Sequence, residues 1–315
     1  MFPSSKSLRS VLRQSLAAFL PAGPGRRQRL RNHRGVVEQL EVRQLLTGDF
    51  DSAFKFGGVG NDEAAAIAID NAGNTFTAGF FSGTVDLDPG AGTQFATSVG
   101  GTDIFLSKFD ASGALVWAKT FGGVEADEAE SIAVDGSGNV LVTGFFSRTI
   151  DLDPGPALLN RTSLGSTDIF ISKFSQTGTL IWGHAIGGGR ADEGRGIAVD
   201  PLGAVYTAGF FGATTDFDPG ANVWSLTNTS NSSDIFVSKL DASGIFVYAR
   251  QAGSTGADQA NGIAVDAAGS VTLAGSFTGT VNFGPAFGSH GAIHLKISVC
   301  IKKAALGSSL ERWSM

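Results

Sequence analysis

Cysteine, methionine and histidine are scarce in this chain of 315 residues, which contains one, two and four of them. The lone cysteine, Cys300, excludes an internal disulfide. No apolar run reaches the roughly 18 residues that a membrane-spanning helix needs, so no transmembrane segment is expected. The four histidines fall at unrelated positions, and none has a partner with a recognisable catalytic spacing: His33, His184, His290 and His294.

Positive charge is also scarce outside the first 48 residues. That segment carries nine Lys and Arg against Glu38 and Glu41, a net charge of +7. Since the whole chain has a net charge of −6, the remainder carries −13. An acidic body repels a polyanion, so no nucleic-acid partner is expected. Residues 1–48 are predicted to be a basic, mostly disordered leader.

Glycine and phenylalanine are abundant, at 44 and 24 residues, and they belong to a repeat. An Ile-Ala-Ile/Val-Asp motif recurs at spacings of 65, 65 and 66 residues, beginning at Ile67, Ile132, Ile197 and Ile263. An Asp-Ile-Phe motif keeps the same phase, beginning at Asp103, Asp168 and Asp234. A fixed period of this length indicates a repeat architecture.

Each period predicts four short strands, which in the first repeat are 64–69, 75–81, 104–109 and 115–121. Asp- and Gly-rich turns separate them. Four antiparallel strands in tandem repeats predict an all-β fold, a β-propeller with blades of about 65 residues. The alanine-rich first strand is expected nearest the axis. Paired phenylalanines at the end of the second strand are expected to pack between blades.

Four blades are predicted within a propeller domain of residues 49–298, at about 62–122, 127–187, 192–253 and 258–298. The fourth repeat loses its pattern after its second strand, whereas residues 50–58 form a spare fourth strand at the N-terminal side. We expect this strand to complete the last blade and close the ring. A piece of a larger propeller is the alternative, because the tail at 299–315 matches no repeat.

The repeat resembles a known family. The pattern Asp-x-x-Gly-Asn-x-hydrophobic-x-x-x-Gly, seen from Asp70 to Gly79 and from Asp135 to Gly144, looks like the SBBP family of bacterial β-propeller repeats. The resemblance covers about residues 54–285. It implies an extracellular or envelope-associated bacterial protein.

A second resemblance lies in the leader. Leu40, Glu41, Arg43, Leu45 and Leu46 resemble the Leu-Glu-x-Arg-x-Leu-Leu motif near the N-terminus of exported planctomycete proteins. A short apolar segment at 15–21 follows basic residues, as in a signal peptide. Together these features predict a secreted or cell-surface protein.

Acidic residues repeat in two loops that a four-stranded blade would place on one face. One set lies in Asp-x-Asp-Pro-Gly loops: Asp86, Asp88, Asp151, Asp153, Asp216 and Asp218. The other precedes each first strand: Asp62, Glu63, Asp127, Glu128, Asp192 and Glu193. The first set is a candidate calcium site, because hard cations prefer several oxygen ligands. Turn formation by Asp before Pro-Gly is the alternative.

Even repetition of the acids favours a non-catalytic binding or structural scaffold over an enzyme, which would need a unique constellation. Calcium is the one candidate cofactor. The expected partner is a protein, a polysaccharide or a cell-envelope component. Two alternatives stay open: a carboxylate-dependent propeller enzyme, a lyase or hydrolase, and a truncated fragment of a larger surface protein.

Overall fold

A computed structural model describes residues 55–228, 230–281 and 296–302, the last as backbone only. Every regular element in these ranges is a β-strand. The predicted leader at 1–48, most of the predicted closing strand and all of the tail beyond residue 302 lie outside the described residues. The prediction of an all-β fold is confirmed for the described part of the chain.

The first sheet contains all four strands that the repeat predicts. Its strands are β1 (Gly57–Gly58), β2 (Glu63–Ile69), β3 (Thr75–Asp86), β4 (Phe95–Phe109) and β5 (Leu115–Phe121). The antiparallel order is β2-β3-β4-β5. β3 and β4 run beyond the predicted limits as a hairpin that pairs Thr84 with Thr97, and β1 pairs with the same extension of β3.

The second and third sheets repeat this plan with the hairpin extension as separate short strands. The second contains β6 (Asp127–Val134), β7 (Val140–Phe146), β10 (Asp168–Phe174) and β11 (Leu180–Gly188), and its hairpin, β8 (Thr149–Asp151) with β9 (Asn160–Thr162), forms a separate two-stranded sheet. The third contains β12 (Glu193–Val199), β13 (Val205–Gly212), β16 (Ser233–Leu240) and β17 (Phe246–Ala252). Its hairpin, β14 (Thr214–Asp216) with β15 (Ser225–Thr227), pairs through β14 with β11 of the second sheet.

The fourth sheet departs from the repeat. It contains β18 (Gln259–Val265), β19 (Val271–Phe277) and β20 (Lys296–Lys302). β20 pairs with β19 in parallel, whereas the third strand of every other sheet is antiparallel to the second. A parallel neighbour needs a long connection rather than a tight hairpin. The predicted end of the propeller domain, at residue 298, falls inside β20.

The hairpin turns form because an aspartate organises its own backbone. Asp70 Oδ1 accepts hydrogen bonds from the amides of Ala72 and Asn74, both at 2.9 Å. Gly73 has a φ of 81°, a left-handed conformation that glycine adopts without strain. The turn recurs in every described repeat, so the Asp-x-x-Gly spacing sets where each first strand ends.

Large apolar side chains hold consecutive sheets face to face. Between the first two sheets, Phe121 packs on Phe170 and Phe174 at ring-centroid distances of 6.0 and 5.6 Å. Further clusters join the second sheet to the third and the third to the fourth. The second phenylalanine of each pair (Phe81, Phe146 and Phe211) is fully buried. The first strands lie side by side in chain order, β2 by β6, β6 by β12 and β12 by β18.

Among the described residues, no sheet covers the outer face of the first sheet. Ile67 and Ile69 are each 66% exposed, while the equivalent Ile132 and Ile197 are 8% and 5% exposed. Phe56 contacts this face beside Phe105 and Phe109, at centroid distances of 5.4 and 6.2 Å. It occupies the position on the first sheet that Phe121 occupies on the second. Phe56 and the residues beside it therefore lie where the fourth strand of a preceding sheet would lie.

A buried lysine ties the first sheet to the second, and another ties the second to the third, at the turn end. Lys173 lies 3.0 Å from Asp135 Oδ2, with both side chains 6% exposed, and it also donates to the carbonyl of Ala242 in the next sheet. Lys108 reaches the carbonyl of Gln176 in the same way. The ammonium therefore joins its own sheet to the neighbouring one.

Replacing Lys173 with Met should lower the free energy of unfolding by about 3–5 kcal/mol, because Asp135 would be left buried without its counter-charge. Urea unfolding followed by circular dichroism measures this. Arg148→Met is the matched control, since its pair with Glu125 is exposed and should contribute at most about 1 kcal/mol. Equal effects from the two variants would contradict the assigned role of Lys173.

Candidate functional site

The Asp-x-Asp loops are organised by their own carboxylates. Asp216 Oδ1 accepts from the amides of Asp218 at 3.1 Å and Trp224 at 2.7 Å, which closes the loop. Asp218 Oδ1 accepts from the amide of Gly220 at 2.8 Å. Asp151 with Asp153, and Asp86 with Asp88, make the same bonds.

These bonds are the ones that turn formation requires. The apolar residue between the two aspartates is buried in each loop: Leu87, Leu152 and Phe217. Within the described ranges, no group of three or more His, Cys, Asp or Glu side chains is arranged to hold a metal ion. Calcium at the Asp-x-Asp loops therefore stays a prediction, and the geometry gives these carboxylates a structural role.

The aspartates before the first strands are not displayed on an acidic face. Asp127 and Asp192 have no exposed surface, and Asp62 is half-buried. Asp192 Oδ2 accepts from the amide of Gly188 at 2.6 Å, and its Oδ1 accepts from that of Gly212 at 2.9 Å. Asp127 joins Gly123 to Ser147 in the same way. The carboxylates of Asp127 and Asp192 thus fasten the glycine connector to the end of the second strand of their sheets, whereas Asp62 bonds only to the connector, at Gly58.

A second buried aspartate, from the Asp-Ile-Phe motif, lies on the other side of each connector. A Cβ added to Gly187 would lie 1.9 Å from Asp168 Cγ, so only glycine fits beneath that carboxyl group. Gly122 and Gly253 are restricted in the same way by Asp103 and Asp234. The carboxylate of Asp168 therefore requires the first glycine of the element, whereas a Cβ on the second, Gly188, would lie 2.2 Å from the backbone carbonyl oxygen of Thr214.

Burial raises the pKa values of Asp127 and Asp192 to about 7, although the backbone amides that donate to them lower these pKa values. Burial also raises the pKa of Asp234 to about 6, with a contribution from the charge of Asp258. These carboxyl groups titrate inside the fold near neutral pH, where an ordinary aspartate is fully ionised.

A different group of side chains converges where the first strands lie side by side. Each first strand contains a β-bulge, so that one residue has no partner across the ladder: Ala65, Glu130, Arg195 and Asn261. A bulge redirects the side chain of its extra residue and is common beside functional sites. The four bulges occupy equivalent positions, yet each presents a different chemical group.

Arg195 connects the third sheet to the fourth. Its guanidinium donates to Glu193 Oε2 at 2.9 Å and to Gln259 Oε1 at 2.9 Å. It also donates to Asn261 Oδ1 at 3.3 Å and lies 5.0 Å from the ring centroid of Phe210. We call the following residues the bulge cluster: Glu63, Glu128, Glu130, Glu193, Arg195, Gln259 and Asn261.

The carboxylates of the bulge cluster outnumber its cation. Burial raises the pKa of Glu128, and the charge of Glu130 adds to the effect. Burial likewise raises the pKa of Glu130, which Arg195 lowers and Glu193 and Glu63 raise further. Glu193 is neutralised by its ion pair with Arg195. Three glutamates therefore share one region without a counter-charge of their own.

Sequence reasoning found Glu63, Glu128 and Glu193 but missed Glu130, Arg195 and Asn261. The sequence does contain a signal for these residues: they occupy the one position of the first strand where the residue type differs in all four repeats. It was hidden because a search for repetition discards positions that vary. A bulge is also not visible in a hydrophobic pattern, which follows the pleat of a regular strand.

Histidine contributes no catalytic group within the described residues. His184 is stacked on Trp182 at a centroid distance of 5.1 Å, and burial lowers its pKa, so the neutral ring acts as packing. The other three histidines lie outside the described residues. The side chain of Cys300, in β20, is likewise not described.

Two curated proteins are similar to parts of this chain. An uncharacterized WD repeat-containing protein of Acanthamoeba polyphaga mimivirus is 30% identical over 207 residues, 58% of this chain. The regulatory protein FlaEY of Caulobacter vibrioides is 28% identical over 110 residues, 35% of this chain. The matches span only 15% and 12% of those proteins' own lengths.

No family model matches the chain. A solved structure of a protein of unknown function from Bacteroides caccae covers 61% of this chain and 82% of its own, with 11% identity and a TM-score of 0.21. Of the residues that the structure describes, none forms a helix long and apolar enough to cross a membrane.

The free energy of unfolding should fall as pH rises from about 4 to about 7, because a carboxyl group with a raised pKa binds its proton more tightly in the folded chain. Below pH 3.8 both states are protonated, and the stabilisation is lost as pH passes about 7. Asp192→Asn should remove about 2 kcal/mol of this pH dependence, measured by urea unfolding at several pH values.

Asp110→Asn is the control for this experiment. Its carboxyl group lies in an exposed turn, and a hydrogen bond from Ser112 lowers its pKa. Both states of that group are ionised above pH 5, so the slope should not change. An unchanged slope in Asp192→Asn would refute the assignment of this titration to Asp192.

Proposed function

We propose that the chain is a β-propeller-type repeat protein that acts as a non-catalytic binding scaffold, with the bulge cluster as its recognition surface. The set of four matched bulges carries the proposal. The pairing of the first and second strands is the same in all four repeats, and it leaves one residue of each first strand without a partner on the second strand. The side chain of this unpaired residue differs from repeat to repeat. That is the arrangement a recognition surface needs, since specificity comes from varied groups on a rigid support.

Two observations besides the repeat support the proposal that the chain forms a β-propeller. One is similarity to the mimiviral WD repeat-containing protein, because WD repeats build propeller blades. The other is the succession of antiparallel sheets with neighbouring first strands. We further propose that four blades close into a ring through residues 50–58. The exposure of Ile67 and the position of Phe56 support closure, since both leave room for a sheet before the first.

Ring closure predicts that Ile67→Ala costs as much stability as Ile132→Ala, about 2–5 kcal/mol, because both residues would then be buried between sheets. In an open array Ile67 would stay exposed, and its substitution would change stability by about 0.5 kcal/mol or less. Thermal and urea unfolding of the full chain distinguishes the two cases. A large loss for Ile132→Ala alone would reject closure.

The partner is expected to be a protein, a polysaccharide or another cell-envelope component that carries positive charge. Glu63, Glu128 and Glu130 outnumber the one cation of the bulge cluster, Arg195, which already pairs with Glu193, so a further cationic group would relieve their mutual repulsion. Calcium bound at the Asp-x-Asp loops would be a further, structural ligand.

Isothermal titration calorimetry with two cationic probes tests this surface. Glucosamine hexamer and lysine hexapeptide carry similar charge, and the tighter one identifies the class of partner; N-acetylglucosamine hexamer is the neutral control. Glu128→Gln with Glu130→Gln should weaken binding of the cationic probe by roughly tenfold or more. Glu125→Gln, outside the bulge cluster, should not. Failure of both cationic probes to bind wild-type chain would refute the proposed surface.

A carboxylate-dependent enzyme is the second candidate. The observation in its favour is that burial raises the pKa values of Glu128 and Glu130 while Glu193 forms an ion pair with Arg195, and carboxyl groups in unlike environments suit acid–base chemistry. Incubation with glucosamine hexamer separates a scaffold from a hydrolase. A scaffold returns the hexamer intact, and a hydrolase shortens it.

Export is supported only by the sequence: the basic leader, the apolar segment at 15–21 and the motif containing Leu40, Glu41 and Arg43. We infer that the folded repeats work outside the cytoplasm, at the cell surface or secreted. The resemblance to SBBP repeats agrees with this location. Mass spectrometry of the culture medium and of the surface fraction checks it, and recovery of the chain from cytoplasm alone would oppose it.

A further inference from the structure

A second surface, which borders the bulge cluster at Phe210, has the opposite chemistry. An open pocket of about 520 Å³ lies among the second, third and fourth sheets, within the range of roughly 300–1,000 Å³ typical of small-ligand sites. Its polar and aromatic lining comes from six residues: Ser166, Arg190, Phe210, Asn231, Ser232 and Ser233. No Asp or Glu is found in the described lining, although the chain is acidic.

The pocket exists in the third repeat because that repeat departs from the others at two places. Thr162 and Asp168 are six residues apart, whereas the equivalent Thr227 and Asp234 are seven apart, so the loop carrying Asn231 is one residue longer. Arg190 is also unique at its position in the connector. The other repeats have Gly60, Glu125 and Gly256 there.

Arg190 is held in place by the longer loop. Its Nη1 donates to the carbonyl oxygen of Asn231 at 3.4 Å, and its Nη2 donates to the side-chain oxygen of Asn231. The guanidinium also carries an Nε–H that runs parallel to the second N–H of Nη2, and this side-on pair of donors matches the two oxygens of a carboxylate.

The rest of the lining suits a sugar ring. Phe210 is half-buried, with one surface toward Arg195 and part of its ring lining the pocket. Ser232 and Ser233 donate their hydroxyl hydrogens to the carbonyls of Gly256 and Asp258, at 2.7 and 3.3 Å. Their oxygens therefore present lone pairs that can accept from ligand hydroxyls.

We propose that this pocket binds a uronate unit, a sugar carrying a carboxylate, within an acidic polysaccharide. Arg190 pairs with the carboxylate, Phe210 packs against the apolar side of the ring, and the serine oxygens accept from its hydroxyls. A bare anion would use Arg190 alone and leave the aromatic and hydroxyl lining without a function. The site is distinct from the bulge cluster, which favours a cation.

Calorimetric titration of the full chain with trigalacturonate tests the proposal. Trigalacturonate should bind at least about tenfold more tightly than galactotriose, its neutral counterpart, because the neutral sugar lacks the charge-assisted pair. Inorganic phosphate is the probe for a simple anion site. Phosphate binding as tight as that of trigalacturonate would overturn the proposal, as would a failure of trigalacturonate to bind.

Arg190→Ala should weaken trigalacturonate binding by about tenfold or more. Arg148→Ala is the matched control, an exposed arginine in the second repeat, and should bind as wild type does. Asn231→Asp is a second variant, which places a carboxylate beside an intact Arg190 and should also weaken binding. Wild-type affinity in both Arg190→Ala and Asn231→Asp, with unchanged melting temperatures, would overturn the assignment. The cationic probes report on the bulge cluster, so failure of one site is distinguishable from failure of the other.

Discussion

In the second and third sheets, the buried carboxylate that opens the first strand is the interaction on which the arrangement of the strands depends. It bonds backwards to the glycine connector and forwards to the end of the second strand, as Asp192 does with Gly188 and Gly212. One side chain thereby fixes the path of the chain between sheets and the alignment of two strands within a sheet. The connector amides would otherwise be buried without acceptors, at a substantial free-energy cost.

Many other features follow from this fastening. Glycine is obligatory in the connector because a second carboxyl group, such as that of Asp168, lies directly against it. The sheets then stack closely enough for a lysine such as Lys173 to reach a turn of the next sheet. With the frame held at both ends, the residues between can be apolar and the loops can differ in length, as the one around Asn231 does.

Most of the strands and turns could be predicted from the sequence, because they depend on local signals: alternating apolar residues and Asp-x-x-Gly turns. The parallel strand β20 could not, since its pairing is set by a partner distant in sequence and its residues match no repeat. The burial of the repeated acidic residues could not be predicted either. Asp127 has the sequence pattern of an exposed loop residue, and only the packing of two sheets shows that it is buried. Glu130 and Arg195 were missed because a bulge shifts the pleat by one residue.

The bulge has a consequence for how such a chain can change. A residue in a paired strand position is constrained on both sides, by the ladder and by the neighbouring sheet. Ala65, Glu130, Arg195 and Asn261 are free of the first constraint, because no residue stands opposite them. Each can be exchanged without altering the register of its sheet. The chemical character of this surface can therefore change one repeat at a time while the strand pairing stays the same.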